Sequence, residues 1–583
     1  MNKIIKVYNR FNDKTIFDCN YETIFDLNIS VDTTIYNDKS LKEELKLESF
    51  VSDEELVANL YKKYGKSMFS YIDGIFSIII EDLDKDELII AQDHSNIKHL
   101  FYYFDDKNFV VTNSLNSIFD LKFTKKRLSS IGVSNYFSNW FISQPNTIYE
   151  KCYKLIAGSY IVFNTKSKTI NQESFFDIGR CYDTKKLDLS EYEFKEEAKR
   201  YLYNSIKKRK AKSKKKIAAS LSGGYDSSSI ASLLSLESDL YTFTIGFDDD
   251  RINEAQEAKK IASIIGTSHS EYYFRDEDAL TIVPKLCDIY DEPYFDEGSI
   301  PTTLLATLMK DQNIRSVFVG DGGDEVFATA DNLDRFSNYL KYPTFIKRYI
   351  FENLSKLDLH NIYYIKDHKN IPTKFYKLTK ILSSPDIANM VKVKMTLFDP
   401  FEINRLVKNN DRTFKISLDD LKFGKNAEVV DEIIGSFFKS FLLDGEIIKT
   451  SNAYSSVGID IREPFMDREL IEFMAKVPQN IKVKNKIKKY LLKEIVYEFI
   501  PKEIMDRPKK GFSSPISKWM RGILYDMVMS YVNKERIDNE GILNAEFAIE
   551  IRDRFFSGKE EYRYKLWSIF LFELWYEKNF RRA

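Results

Sequence analysis

Apolar and polar positions alternate in short runs through roughly the first 180 residues. EDLDKDELIIAQD and YYFDDKNFVVTNS each hold two β-rich runs broken by Asp, Lys and Asn, which predicts hairpins. One helix interrupts them. In SDEELVANLYKKYG, from Ser52 to Gly65, Ser52 is placed to cap the first turn, with Glu55 completing a capping box. Leu56, Leu60 and Tyr61 then share one face. The stretch from about 181 to 216 is polar, then helical, then strongly basic. From Ile217 the period changes again. KIAASL reads as a strand, SGGYDSSS as a turn and SIASLLSL as a helix. YTFTIGF and NEAQEAKKIASIIG repeat the strand and helix, and NIRSVFVGDGG carries a third strand into a Gly-rich turn. Strands alternating with helices predict a parallel, doubly wound sheet. After Glu325 the pattern is mainly helical to the end. The pattern predicts two domains: an antiparallel α+β domain over 1–180, and an α/β domain with a helical C-terminal part over 181–583.

Hydrophobic residues make up 43% of the 583 and aromatics 14%, enough for large cores and not a disordered composition. Lys and Arg number 87 against 88 Asp and Glu, a net charge of −1. That balance does not favour non-specific nucleic-acid binding, so the basic run is read as a solvated helix end before a buried strand. Cys19, Cys152, Cys181 and Cys287 form no C-x-x-C pair, and no zinc spacing is present. The start, MNKIIKVYNRFND, has no apolar signal region, and no apolar run approaches the ~20 residues of a membrane helix. A cytoplasmic protein with neither nucleic-acid nor membrane partners is expected.

The sharpest chemical signal is Ser222-Gly223-Gly224-Tyr225-Asp226-Ser227-Ser228, between a predicted strand and a helix. Small residues let backbone approach a phosphate chain, and N–H groups at a helix start can cradle it. Asp226 would repel phosphate unless a cation lay between them, and Mg²⁺, which prefers oxygen ligands, suits that role. The Walker A pattern is absent. The second signal is Gly320-Asp321-Gly322-Gly323-Asp324-Glu325, at the end of another predicted strand, where open α/β sheets bind ligands. It places Asp324 to share the same Mg²⁺.

Both features resemble the synthetase domain of the asparagine synthetase family, with its pyrophosphatase-type ATP loop. Further blocks resemble the same domain in order: IGFDDDRINEAQEAKKIASIIGTSH, closing at His269; DEPYFDEGSIPT; IDIREPFMDRELIEFMAKVP, with Arg462, Pro464 and Asp467; and KKYLLKEIVYEFIPKEIMDRPKKGFSSP, with Lys489, Arg507, Lys510, Gly511 and Phe512. TIYNDKSLKEEL, SDEELVANLYKKYG, IDGIFSIIIEDLDKDELIIAQDHSNIKHLFYY and NTIYEKCYKLIAGSYIVF are similar to the family's glutaminase domain. That likeness implies an antiparallel sandwich of the N-terminal-nucleophile hydrolase type. From about Asn332 to Leu443 no motif is recognised.

The sequence departs from the family at telling places. The family's nucleophilic cysteine, exposed after Met removal, is Asn2 here. Its oxyanion-stabilising Asn-Gly aligns with Asp32-Thr33, where a carboxylate would oppose the developing charge. Both losses imply a retired glutaminase. In the synthetase half the K-x-D pattern reads Lys449-Thr450-Ser451, and a typical Asp-Glu reads Asn253-Glu254.

The resemblance implies ATP held by Ser222, Gly223, Gly224, Ser227 and Ser228, with Ser220, Ile245 and Gly320 lining the adenosine pocket and Asp226 and Asp324 ligating Mg²⁺. A carboxylate would be activated as an acyl-adenylate and passed to an amine. Lys489 falls at the catalytic lysine, Lys510 at a pyrophosphate-side lysine and Asp321 at an acid–base residue that handles the amine. Spacing alone leaves Lys488 as an alternative to Lys489. With no internal ammonia source, the amine is free ammonia or part of an organic substrate. Lasso peptide cyclases and β-lactam synthetases are branches with inactive glutaminase domains. The Asp at 321, where the β-lactam branch carries Tyr, ranks the cyclases first. The expected partners are then a precursor peptide and its protease or recognition protein, with ammonia-dependent amidation of aspartate or another small acid as the alternative.

Overall fold

The computed structural model describes residues 5–9, 14–17, 21–105, 107–214, 216–249, 251–362, 370–410, 418–507 and 514–581. Asn2, Cys19, Lys510, Gly511 and Phe512 lie outside them.

The N-terminal strands are β1 (Ile5–Asn9), β2 (Lys14–Phe17), β3 (Glu22–Ile24), β4 (Leu27–Ile35), β5 (Gly74–Asp82), β6 (Glu87–Gln92), β7 (Phe101–Phe104), β8 (Asn108–Thr112), β9 (Cys152–Lys154), β10 (Ser159–Asn164) and β11 (Ile170–Ser174). They form two antiparallel sheets, ordered β2-β1-β8-β7-β9 and β11-β10-β6-β5-β4-β3. Both predicted hairpins are present, β5–β6 and β7–β8. The period of two sorts the side chains. Ile79 of β5 faces Phe109, Val111 and Phe163 between the sheets, where the Phe109 and Phe163 rings stack 4.5 Å apart. Its neighbours Ile78 and Ile80 point the other way, onto Leu56 and Leu60 of the helix Asp53–Tyr64. Ser52 caps that helix, accepting the Glu55 N–H at 3.1 Å.

The second domain carries a parallel sheet of β12 (Ile217–Ser220), β13 (Tyr241–Phe247), β14 (Ser268–Phe274), β15 (Ser316–Phe318) and β16 (Asp460–Arg462), ordered β14-β13-β12-β15-β16. Val317 of β15 registers with both Ala218 and Ile461. The predicted helices are Tyr225–Ser235 and Ala255–Ile265. Two strands were not predicted: β14, at the sheet edge, and β16, which enters after a long helical excursion. No helix among the described residues is long and apolar enough to cross a membrane.

The basic run differs from its expected role as a solvated helix end. Lys208 reaches Asp73 and Asp467, both at 2.6 Å, and buried Arg209 reaches Asp467 at 2.8 Å. Lys212 pairs with Asp38 and Lys214 with Asp460, at 2.8 and 2.9 Å. These cations join acids of the sandwich to acids of the synthetase half. His94 and Asn96 strengthen the same junction through the Met466 and Leu443 carbonyls, each at 2.8 Å.

Candidate functional site

The first strand of the parallel sheet, β12, runs into a four-residue turn and then the helix Tyr225–Ser235. The turn needs Gly223, whose φ is +80°. Arg507 holds it from outside, donating to the Gly223 carbonyl at 3.1 Å and pairing with Glu254 at 3.0 Å. Within the turn the Ser222 N–H donates to Ser227 Oγ at 3.2 Å, and the Ser227 hydroxyl reaches the Gly224 carbonyl at 3.2 Å. Asn253, where an Asp is typical, accepts from the Ala255 N–H at 3.1 Å. The helix after β13 therefore keeps its entry hydrogen bond despite the change.

β15 leads to the second Gly-rich turn, which crosses the start of the same helix. A Cβ at Gly320 would stand 3.1 Å from Asp226 Cβ and 3.2 Å from Ser227 N, and one at Gly323 would collide with the Asp226 carboxylate. Glycine at these positions lets the two loops meet. The meeting brings Asp226 and Asp324 to a shared cation, the ammonium of Lys489, 2.6 Å from both Asp226 oxygens and 2.7 Å from Asp324 Oδ1. Burial works against that ammonium, but Asp226 and Asp324 outweigh it and hold Lys489 above the ordinary lysine range. Lys488 instead pairs with Asp331, half-exposed. The inward-facing side chain is Lys489.

A cavity of about 420 Å³ opens where these loops converge. Ser220, Ser222, Asp226, Ser227, Ile245, Gly320, Asp321 and Asp324 all line it. Gly223, Gly224 and Ser228 do not border it. Ser228 is fully buried, and its hydroxyl has no hydrogen-bond partner. Ser220 Oγ lies 2.9 Å from the Tyr454 hydroxyl on the opposite wall.

Sequence reasoning missed part of this wall. Lys449 is held, mostly covered, between Asp296, at 3.2 Å, and Glu446, at 2.5 Å. Where Ser451 offers no carboxylate, Glu446, one helical turn before Lys449, pairs with it instead. Burial opposes the Lys449 charge, yet Asp296, Glu446 and Asp321 keep it well above the usual lysine range. Asp321 is raised above the ordinary carboxylate range, first by burial, although Lys449 pulls the other way. Its Oδ2 is buried without a partner. Glu446 lies just past the segment in which no motif is recognised, so only its spacing of three to Lys449 could have drawn notice.

A Gly- and Ser-rich turn at a helix start and a second Gly-rich turn, bringing two carboxylates together at the C-terminal edge of a parallel sheet, mark an α/β domain of the pyrophosphatase-loop type joined to an antiparallel sandwich. Comparison with known proteins agrees. The asparagine synthase family matches residues 197–577, and the glutamine amidotransferase domain matches 21–176. Asparagine synthetase [glutamine-hydrolyzing] 1 of Bacillus subtilis is 23% identical over 94% of this chain and 85% of its own. A Methanocaldococcus jannaschii relative bearing the asparagine synthetase name is 28% identical over 75% of this chain and 84% of its own. The amidase chry2 of Gibberella zeae is 24% identical over 87% of this chain and 79% of its own. Among solved structures, the Bacillus subtilis glutamine phosphoribosylpyrophosphate amidotransferase aligns with a TM-score of 0.18 at 12% identity, covering 54% of this chain and 63% of that one. The chain belongs to the asparagine synthase family and is an asparagine synthetase-like, amide-bond-forming ligase.

Proposed function

We propose that this ligase activates a substrate carboxylate with ATP as an acyl-adenylate and closes an intramolecular amide within a peptide, as lasso peptide cyclases do. The observation that carries the reading is the convergence of Asp226 and Asp324 on the ammonium of Lys489, with both carboxylates and Asp321 lining one cavity. Ser222 and Ser227 of the first turn line the cavity and would face the phosphates. Two carboxylates aimed at one cation are a hard-oxygen donor pair suited to Mg²⁺, so Asp226 and Asp324 are the residues that would hold it. Bound there, Mg²⁺ would neutralise pyrophosphate oxygens. The carboxylate oxygen attacks the α-phosphorus, and the bond to pyrophosphate breaks. The amine nitrogen then attacks the acyl carbon, AMP leaves, and Asp321 takes the amine proton. Lys489 stabilises the charge on the oxyanion, and Lys510 is the proposed pyrophosphate-side lysine.

The choice of an organic amine over glutamine-derived ammonia rests on the sandwich. Asp32 is ion-paired to Lys98, and the Thr33 hydroxyl is hydrogen-bonded to Asp53. A carboxylate so held cannot serve as an oxyanion donor. Pyrophosphate release, assayed with a co-encoded precursor peptide and with aspartate plus ammonia, tests the reading. Release with the peptide and a product one water lighter support it. Release only with the small acid, and a product one nitrogen richer, overturns the cyclase reading in favour of ammonia-dependent amidation.

A further inference from the structure

Charge is unevenly distributed along the chain. Residues 333–383 hold ten Lys and Arg against four Asp and Glu, a surplus of six in a chain of net −1, so the remainder carries a deficit of seven. The same short stretch contributes eight of the 22 large apolar side chains that stand exposed on the described protein. Surface apolar residues scattered singly are ordinary, but this concentration is not.

The apolar positions form a ridge. Phe345 and Tyr349, exposed by 62% and 65%, are four residues apart on one side of the helical stretch 344–354, and Ile350 adjoins them. Exposed Tyr342, just before this stretch, sets its ring edge-on to Phe351 at 5.9 Å. Lys341, Arg348 and Lys356 stand exposed along the ridge. Its acid, Glu352, is taken by Lys380 at 2.8 Å. Lys380 lies on the next helix, Ile371–Ser383, which adds the exposed Leu378.

We infer that this ridge docks reversibly on an anionic lipid surface. Aromatic and aliphatic side chains edged by Lys and Arg, with the local acid neutralised, match the chemistry of an interfacial helix. The opposite sign of the remaining chain orients the approach. A second copy fits less well, because a self-complementary contact would bring two positive patches together. Lys486 and Lys488 pair with Asp334 and Asp331 at the start of this stretch, so the turn that carries Lys489 adjoins the docking face.

The test is sedimentation of the full chain with phosphatidylglycerol–phosphatidylcholine vesicles. The wild type is expected to co-sediment with them, to stay in solution with pure phosphatidylcholine vesicles and to be released by high salt. The Phe345→Ser/Tyr349→Ser double variant, with an unchanged thermal midpoint, is expected to partition at least about tenfold less. A Lys341→Glu/Arg348→Glu variant should do the same through charge alone. Failure of the wild type to bind, or equal binding by both variants, overturns the inference. So does a wild-type dimer that the Phe345→Ser/Tyr349→Ser variant dissociates without any vesicle binding.

Discussion

The ammonium of Lys489 stands 2.6 Å from each carboxylate oxygen of Asp226, across 263 residues of sequence. Lys489 reaches that position from a backbone φ of +53°, the left-handed region, immediately before the helix Tyr490–Val496. A non-glycine residue held there costs about 1–2 kcal/mol, and the paired carboxylates offset it. Asp226 belongs to the nucleotide loop and Asp324 to the second Gly-rich turn, so one cation ties three segments of the site together.

Asp226→Asn and Asp324→Asn are expected each to lower substrate-dependent pyrophosphate exchange by orders of magnitude, because each removes half of a paired-carboxylate cation site. Each also weakens the hold on a buried ammonium, so the ligand-free thermal midpoint should fall as well. Near-normal exchange in both variants would remove these carboxylates from the phosphate chemistry.

Lys489→Met should slow amide formation by about 10²–10³ while adenylate formation suffers less, since the charge it faces grows when the amine attacks. Lys488→Met, which loses only the half-exposed pair with Asp331, should leave both steps near normal. Rapid-quench measurement of adenylate and amide separates the two. The reverse ranking of the two lysines would contradict the placement seen here.

Much of this site was legible from sequence because its pieces are local. The turn after β12 announces itself through Gly223, and the second turn through Gly320 and Gly323, where close approach admits no side chain. What stayed hidden depends on distance along the chain. Asp296, Glu446 and Lys449 come from two segments some 150 residues apart, and only folding makes them a cluster. The basic run looked solvated because its acids, Asp38, Asp73, Asp460 and Asp467, lie far away in sequence. Strand β16 is three residues long, too short to show a period. The register at Lys489 was ambiguous among neighbouring lysines until the left-handed turn pointed one of them inward.

The junction between the halves is expected to be costly to break. Asp467 is buried and accepts from both Arg209 and Lys208. Burial opposes its charge, but Arg209 and Lys208 hold its carboxyl below the usual range. Asp467→Ala leaves the buried Arg209 without this partner, a change that typically costs about 3–5 kcal/mol. Urea denaturation should show a lower midpoint. Lys214→Ala, which removes a largely exposed partner, should shift it little.

Stability should also depend on pH through Glu297, beside Asp296. Burial, and then Asp296, push its carboxyl up from 4.5 to about 7. Between those values the folded chain keeps a proton that the unfolded chain has released. The stabilisation is therefore full below about pH 4.5 and is lost as pH rises through about 7. Glu297→Gln keeps an acceptor for the Tyr564 hydroxyl, 3.2 Å away, and cannot ionise. Its unfolding midpoint should fall less steeply than that of the wild type over this interval. Parallel curves would assign the dependence to other groups.

The purified chain is expected to release no glutamate from glutamine. Asn2 cannot supply a thiolate, and Asp32, which aligns with the family's oxyanion-stabilising Asn, is a carboxylate tied to Lys98. Asp32→Asn should not restore activity by itself, since it leaves the nucleophile missing. An Asn2→Cys/Asp32→Asn/Thr33→Gly variant restores the named groups together, and it separates two explanations. Hydrolysis by the triple variant alone would mean that only these positions were lost. Silence in the triple variant, with the fold intact by circular dichroism, would mean that the surrounding pocket has changed as well. Hydrolysis by the unaltered chain, surviving a second purification, would show that another nucleophile serves the sandwich and would reopen ammonia as the internal amine.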